Sequence, residues 1–312
     1  MTPQHTLHAQ HAHMAWDRDI EPALVISPGT TVELEVRDAS GGQLDPSSSP
    51  EAIRSLDLAR INPTTGPIRI EGTQPGDALV VRIEHLEPTS GWGWTGVIPG
   101  FGLLAEDFEE PALHHWELEG RRAAAFGDVA RVPQRPFPGT LGVAPAEPGP
   151  HSIIPPRRVG GNLDTRDLTV GTTLYLPVEV EGALFSLGDT HAAQGDGEVC
   201  GTAIETPMTA VVTLDVEPGA APAYPIFDTV IAHRGAEASD GVLATTGIGP
   251  DLMDAARDAT RGMVELLQRR TGLEAPQAYM LASVAADLRI SEIVDAPNWV
   301  VTCALPKAIL TA

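Results

Sequence analysis

Glycine and proline are spread along the whole chain, and their spacing limits what the chain can fold into. The 312 residues include 31 Gly and 28 Pro, and both residue types are unfavourable inside a helix. Over the first three quarters of the sequence they leave only short runs of apolar residues. The run at 32–36, Val-Glu-Leu-Glu-Val, alternates apolar and polar side chains as a half-buried strand does. This part of the chain is therefore predicted to form many short β-strands.

Six further runs have the same strand character. They lie at 68–70, 79–83, 173–180, 183–187, 210–216 and 225–231. The segment at 133–156 is dense in proline and glycine and is expected to be a long connector. The prediction for residues 1–248 is a β-sandwich or jelly-roll-like body with an excursion near 133–156.

After Gly249 the pattern becomes helical. Six apolar residues fall on one helical face: Leu252, Ala256, Ala259, Met263, Val264 and Leu267. Gly272 follows as a stop signal, a second helix is expected from Pro276 onward, and a closing strand is expected at 299–304. The predicted fold class is mainly β (α+β), with residues 249–312 forming a helix pair and a strand packed on the body.

The charge balance narrows the classes of partner. The 20 Lys+Arg and 42 Asp+Glu give a formal net charge of −22, and an acidic surface repels nucleic-acid phosphates and anionic lipids. No stretch approaches the ~20 apolar residues of a membrane span, and residues 1–13 lack the pattern of a signal peptide. Cys200 and Cys303 are too few for a disulfide framework. These observations predict a cytoplasmic protein without nucleic-acid or membrane partners, and they leave a small neutral substrate possible.

Residues 91–96 match the dinucleotide-binding pattern G-x-G-x-x-G literally. That pattern needs a helix to start there, and Pro99 and Gly100 follow too soon for one. The segment instead predicts a glycine-rich loop. Its Trp92 and Trp94 either cover a pocket or fill a core.

The single lysine, Lys307, disfavours the covalent amidase mechanisms that place a lysine beside the nucleophile. Cys200 stays open as a nucleophile, although free cysteines are more often small buried hydrophobic residues.

Two segments combine carboxylates and glycines, and one of them adds a histidine. They lie at 157–166 and 188–198. Asp189 and His191 are two residues apart, which places both side chains on one face of extended backbone. With Asp164 as third ligand they predict a metal site that keeps a position open for water, and Glu198 is the candidate general base. The alternative reading of these acidic, glycine-rich residues is a pair of solvated turns.

The same segments carry a likeness to a known family. Gly-Gly-Asn-Leu-Asp at 160–164 and Gly-Asp-Thr-His-Ala-Ala-Gln-Gly-Asp-Gly-Glu at 188–198 are the most specific parts of it. Over nearly its whole length the chain resembles the acetamidase/formamidase family. The resemblance implies hydrolysis of a short aliphatic amide to carboxylate and ammonia, a sandwich-like β fold, a divalent metal and a homo-oligomer (a dimer or larger).

The first functional hypothesis is therefore a metal-dependent amidohydrolase, with zinc as the expected ion and calcium as the alternative. Its predicted metal ligands are Asp164, Asp189 and His191; its predicted catalytic residues are Glu198, Asn162 and Gln194; its predicted substrate-binding residues are Trp92, Trp94 and Asp196. In this scheme Glu198 moves the proton, and either Asn162 or the metal itself stabilises the oxyanion. The second hypothesis is a non-catalytic β-sandwich module that binds a small molecule or a partner and keeps a structural metal.

Six other histidines receive no assigned role: His5, His8, His11, His13, His114 and His115. The first four lie in a polar segment that is expected to be a mobile tail, and His13, nearest its end, is kept as a candidate for the site. His114 and His115 are expected on a strand, where neighbouring side chains point to opposite faces.

Overall fold

The computed structural model describes residues 2–120, 122–230 and 240–310, and most of its regular structure is strand. The strands are β1 (His5–Leu7), β2 (Ala12–His13), β3 (Ala15–Trp16), β4 (Leu24–Ile26), β5 (Thr30–Val36), β6 (Thr64–Ile70), β7 (Ala78–Pro88), β8 (Trp92–Val97), β9 (Ala112–Glu117), β10 (Ala123–Phe126), β11 (Ala130–Pro133), β12 (Phe137–Gly142), β13 (His151–Ser152), β14 (Gly160–Asn162), β15 (Thr173–Pro177), β16 (Phe185–His191), β17 (Met208–Glu217), β18 (Ile226–Asp228), β19 (Val242–Gly249), β20 (Asp287–Glu292) and β21 (Trp299–Pro306). The α-helices are α1 (Pro50–Arg54), α2 (Leu252–Thr271) and α3 (Ala275–Ala285). The mainly β class with a helical C-terminal part is confirmed.

Each of the seven predicted strand runs overlaps an observed strand, and the boundaries differ for identifiable reasons. The run at 183–187 corresponds to β16, which begins only at Phe185 because Ala183 and Leu184 both have a φ of 60°. β16 also continues through His191, since Thr190 and His191 still pair with β12. The acidic block therefore begins within a strand, not after its end. The run at 225–231 corresponds to β18, and residue 231 lies outside the described residues.

Two sheets contain most of the strands. The larger has the order β1-β5-β17-β7-β15-β18-β19-β21-β20, and the smaller has the order β14-β12-β16-β6-β2 with β4 also paired to β6. Leu34 and Val81 of the larger sheet and Leu141 and Phe185 of the smaller sheet are fully buried in one hydrophobic cluster. Burial of such side chains contributes roughly 1.5–3 kcal/mol each. A core shared by two sheets is what the predicted sandwich requires.

The expected connector at 133–156 is wrong for residues 137–142. Residues 137–142 form β12, a fully buried strand between β14 and β16. Pro138 and Gly139 misled the interpretation, because both residue types usually weaken a strand. In the fold, glycine at 139 serves the candidate site instead, as described below.

The C-terminal helices pack on the larger sheet. In α2 the Asp251 side chain accepts a hydrogen bond from the Asp254 amide, and Gly272 ends the helix with a φ of 73°, so both the predicted helix and its stop signal are confirmed. The predicted second helix is α3, and the closing strand is β21, which pairs with β19 and with β20, a strand that the sequence did not predict. Strands from both sides of position 249 belong to the larger sheet. The predicted division of the chain into two parts at this position therefore stays a prediction. None of the helices in the described ranges is both long and apolar enough to span a lipid bilayer.

Candidate active site

The candidate site is built on the smaller sheet, where β16 presents Asp189 and His191. Both residues are buried, and His191 Nε2 lies 3.4 Å from Asp189 Oδ1. The two-residue spacing thus brings the two side chains together. Asp189 is nevertheless not ordinary extended backbone, because its φ is 50°.

Asp164 reaches the same place because Gly139 has no side chain. A Cβ at position 139 would lie 2.3 Å from Asp164 Oδ1 and 2.7 Å from His191 Cε1, closer than any real Cβ approaches another atom. With glycine there, Asp164 Oδ1 lies 3.9 Å from His191 Nδ1, and neither side chain has solvent access. The glycine that suggested a connector is thus a requirement of the site.

A further carboxylate, Glu205, was not predicted to belong to this site. Its backbone exchanges two hydrogen bonds with Trp94, at 3.0 and 2.8 Å, and its Oε2 lies 3.2 Å from His191 Nε2. The predicted glycine-rich loop at 91–96 is wrong here, because the segment forms β8. Gly93 permits the close approach, since a Cβ there would lie 2.7 Å from the Glu205 carbonyl oxygen.

Glu198 and Asp295 complete the group of buried carboxylates. The turn that carries Glu198 is tied to the end of β20 by a 2.9 Å hydrogen bond from the Gly197 amide to the Ser291 carbonyl. Asp295, which was also not predicted, accepts a 2.6 Å hydrogen bond from Asn162 Nδ2. Glu292 holds the Asp295 loop by accepting the Asp295 amide at 2.6 Å.

Three of these acids have left-handed backbone, which favours glycine. The φ angles are 39° at Asp164, 50° at Asp189 and 45° at Glu198. Each such residue costs on the order of 1–3 kcal/mol, and strain of this kind is typical of functional sites. Three strained carboxylate residues surround one histidine. This arrangement favours a functional site over the pair of solvated turns that was the alternative interpretation of the sequence.

A cavity of about 320 Å³ opens onto this group. Its polar lining consists mainly of Asn162, Asp189, Glu198, Glu205 and Asp295, and none of the described residues that line it is Lys or Arg. A neutral substrate therefore meets no fixed positive side chain in the cavity.

Of the three predicted substrate-binding residues, Trp94 belongs to the described cavity lining and the other two do not. Trp94 lines the cavity and donates from Nε1 to Asp38 at 3.1 Å. Trp92 does not belong to the described lining and lies beside His115, with ring centroids 6.0 Å apart. Asp196 is also outside that lining, and it pairs with Arg166 at 3.0 Å.

Gln194 contacts His191 and is not among the described cavity-lining residues. Its Nε2 donates to the Asp164 carbonyl at 2.7 Å, and its Oε1 lies 2.9 Å from His191 Nδ1. Because a carbonyl only accepts, the amide orientation of Gln194 is fixed, and Nδ1 of His191 must then carry the hydrogen. The lone pair of the neutral ring is therefore on Nε2, which faces Asp189 and Glu205.

The buried charges perturb one another strongly. Burial, followed by repulsion from Glu205 and Asp295, raises the pKa of Glu198 well above its ordinary value. Burial, followed by repulsion from Glu198, does the same to the pKa of Asp164. Burial alone would lower the pKa of His191, but the negative charges of Glu205 and Asp189 outweigh it and raise that pKa. The group as a whole therefore favours a bound positive charge.

The residues present fit a divalent cation. Both carboxylate oxygens of Asp164, His191 Nε2 and Glu205 Oε2 are buried and make no hydrogen bond, which is costly for groups of this kind. Potential ligand atoms within 4.8 Å of one another form two sets that share the histidine: Asp164–His191–Glu198 and Asp189–His191–Glu205. A cation is the partner that satisfies carboxylate oxygens and an imidazole lone pair together.

The remaining candidates from the sequence lie elsewhere. His13 hydrogen-bonds Ser186 Oγ at 2.8 Å, and burial lowers its pKa. The expected mobile tail is wrong, because residues 5–7 form β1 and pair with β5. Cys200 is half-buried and lies outside the described cavity lining, while Lys307 pairs with Asp228 at 2.8 Å.

His114 and His115 lie on β9, as predicted. The His114 ring packs edge-on against Trp116. His115 Nε2 lies 2.8 Å from the Ser48 carbonyl, so it donates a hydrogen bond there.

The stability of the metal-free protein is expected to fall as pH rises. Burial, followed by repulsion from Asp295, raises the pKa of Glu292 to about 8, and burial raises the pKa of Asp295 to about 7. These groups bind more protons in the folded than in the unfolded protein between about pH 4 and pH 8, so acid favours folding by up to about 1.4 kcal/mol per pH unit for each proton. Denaturant titrations with a chelator at several pH values measure this slope.

Glu292→Gln is expected to flatten that dependence, and Glu265→Gln, an exposed change on α2, serves as the control. A free energy of unfolding that increases with pH across this window in the metal-free protein would contradict the assignment.

The chain is similar to known proteins both in sequence and in structure. The profile of the Acetamidase/Formamidase family matches residues 1–153 and 146–312. The formamidase of Methylophilus methylotrophus is 26% identical, with 95% of this chain and 89% of that protein covered. The acetamidase structure from Bacillus halodurans has a TM-score of 0.87 at 32% identity, covering 96% of each chain. That from Yersinia enterocolitica has a TM-score of 0.88 at 29% identity, covering 100% of this chain and 94% of the other.

Proposed function

The chain belongs to the acetamidase/formamidase family, and from this membership and the site we propose that it is a metal-dependent hydrolase of short aliphatic amides. The products are a carboxylate and ammonia. One observation carries the metal dependence. His191 Nε2 faces the carboxylates of Asp189 and Glu205 in a buried site whose described lining holds no Lys or Arg, and these three groups together are a ligand set that suits a divalent cation.

His191, Asp189 and Glu205 are the ligands that the ring orientation favours, because Nδ1 is committed to Gln194. Asp164, the third ligand predicted from the sequence, lies on the Nδ1 side of the ring and remains a candidate through its two unpaired oxygens. An imidazole with carboxylates suits zinc better than calcium, which prefers six to eight oxygen ligands. Zinc is therefore the proposed ion.

A divalent ion in this position supplies Lewis acidity, which polarises the amide carbonyl and activates water. Glu198 takes the proton of the attacking water and returns it to the departing ammonia. Burial and the neighbouring carboxylates raise the pKa of Glu198, and a raised pKa lets a carboxyl group hold the proton until it is returned to the leaving group.

Asn162 is fixed at both ends of its amide, because Nδ2 donates to Asp295 and Oδ1 accepts from Thr140. The second hydrogen on Nδ2 is available to the oxygen that gains charge as water attacks. Preorganised donors of this kind are worth about 10²–10³-fold in kcat.

Gln194 acts as a positioning residue in this scheme. Gln194→Leu removes the acceptor of His191 Nδ1–H, and we expect it to weaken metal binding about 10–100-fold, as loss of such supporting hydrogen bonds does. Competition with a chromogenic chelator measures the affinity, and Gln268→Leu, a half-buried change on α2, is the matched control. An affinity equal to that of the unaltered protein would remove Gln194 from this role.

Ammonia release from a panel of formamide, acetamide and propionamide tests the proposed reaction. The proposal predicts turnover of at least one of these amides by the metal-loaded protein. A stable, metal-loaded protein that releases no ammonia would favour the binding-module hypothesis instead. A cytoplasmic location and a homo-oligomer complete the proposal, and the net charge of −22 disfavours nucleic-acid and membrane partners.

A further inference from the structure

The candidate cavity has two chemically different ends. Besides the carboxylates at its polar end, it has an apolar wall formed by Leu56, Leu58, Ile61, Ile98, Phe101 and Ile154. We call these six residues the apolar wall. They come from three separate segments of the chain, so their convergence is a property of the fold.

The cavity is larger than the smallest amides need. Its volume of about 320 Å³ falls in the range of roughly 300–1,000 Å³ that is typical of pockets for much larger ligands. Acetamide has only four non-hydrogen atoms, and a water molecule takes about 30 Å³. A short amide held at the polar end would leave the apolar wall in contact with water.

The apolar wall adjoins the proposed general base and is held there by backbone contacts. The Leu103 amide donates to the Val199 carbonyl at 3.0 Å, directly after Glu198. The Phe101 ring packs on Gly201, where a Cβ would lie 2.3 Å from Cδ1 of the ring. Phe101 therefore has a fixed position at one side of the cavity, and Glu198 lines the same cavity.

From these contacts we propose that the apolar wall is an acyl-binding subsite, which makes unbranched amides of four to six carbons better substrates than acetamide. This inference rests on the proposed amide hydrolysis and names its substrate class. The carbonyl lies at the polar end, and the hydrocarbon chain lies along Ile98 and Phe101. A negatively charged acyl group is excluded, because the described lining offers acids and no basic residue.

The chain-length dependence of kcat/KM tests the subsite. Each methylene group that leaves water for an apolar wall is worth about fourfold in kcat/KM. Between acetamide and butanamide, kcat/KM is therefore expected to rise by about tenfold or more, measured as ammonia release.

Two variants locate the effect. Phe101→Ala and Ile98→Ala are each expected to lower the ratio of kcat/KM for hexanamide to that for acetamide by about tenfold. Phe108→Ala is the matched control, since Phe108 is an exposed phenylalanine of the same segment outside the cavity lining. It should leave the ratio unchanged.

The outcomes separate the two proposals. If acetamide is hydrolysed but kcat/KM is constant or falls with chain length, the acyl subsite is wrong and the proposed reaction stands. A ratio that is unchanged in both wall variants also overturns the subsite. If none of the amides is hydrolysed by metal-loaded protein, the proposed reaction fails, and the subsite fails with it.

Discussion

Glu198→Gln is expected to lower kcat for acetamide by about 10²–10⁴-fold, the range associated with loss of a general acid–base group. The substitution keeps the shape of the side chain and removes its capacity to take a proton. Glu198 is 7% exposed, lines the cavity and lies with Asp164 and His191 in one set of possible ligands. Because the favoured ligand set does not need it, the variant should keep its metal.

The measurement is ammonia release at saturating acetamide, together with the metal content of the same preparation. Glu109→Gln, an exposed change on the cavity-side segment after β8, is the matched control and should keep full activity. A variant that loses metal in proportion to activity would make Glu198 a ligand instead of the base. Full activity with metal bound would remove it from the mechanism.

His191→Asn is expected to abolish metal binding and to lower kcat/KM by more than the roughly 100-fold that loss of a supporting hydrogen bond causes. His191 is the only residue that occurs in both ligand sets found among the described residues. It is completely buried, directly behind the cavity-lining carboxylates of Asp189 and Glu205, which its Nε2 faces. Without His191, both sets of possible ligands would consist of carboxylates alone.

Metal content by elemental analysis and ammonia release are measured on the same sample. His85→Asn, an exposed substitution on β7, controls for the loss of an imidazole as such. The variant should still fold, because it removes no hydrophobic side chain and its side-chain NH2 can donate to Gln194 Oε1, the acceptor that His191 Nδ1–H uses. An active His191→Asn protein with a full complement of metal would contradict the ligand assignment.

Local sequence signals predicted the part of the site that lies within one segment. Asp189 and His191 are two residues apart, and the apolar run at 183–187 predicts the strand that carries them. The same reasoning predicted β5 from strict alternation and α2 from its apolar face and Gly272. In each case the interactions that decide the structure lie within a few residues along the chain.

The residues that were missed reach the site through distant contacts. Glu205 is placed by backbone pairing with Trp94, and Asp295 is placed by Asn162 and Glu292. The only local sign at Glu205 is a lone acid between Ile204 and the Thr206-Pro207 step, just before an apolar strand. Nothing near Asp295 in the sequence indicates its distant partner Asn162.

Glycine was the residue type that misled the interpretation most. In the sequence, Gly139 and Gly93 predict a connector and a loop, because glycine weakens a strand. Both lie in strands, where the missing Cβ lets carboxylates and backbone approach within distances that no other residue allows. A single sequence does not distinguish a glycine that bends the chain from one that admits a neighbour.

In the proposed mechanism, amide hydrolysis depends on a divalent ion that the buried carboxylates and His191 hold. Ammonia release from acetamide by chelated protein, measured as zinc is added back, tests this dependence most directly. We expect loss of activity on chelation and full recovery at about one equivalent of metal per chain. Full activity in protein that elemental analysis shows to be metal-free would contradict it.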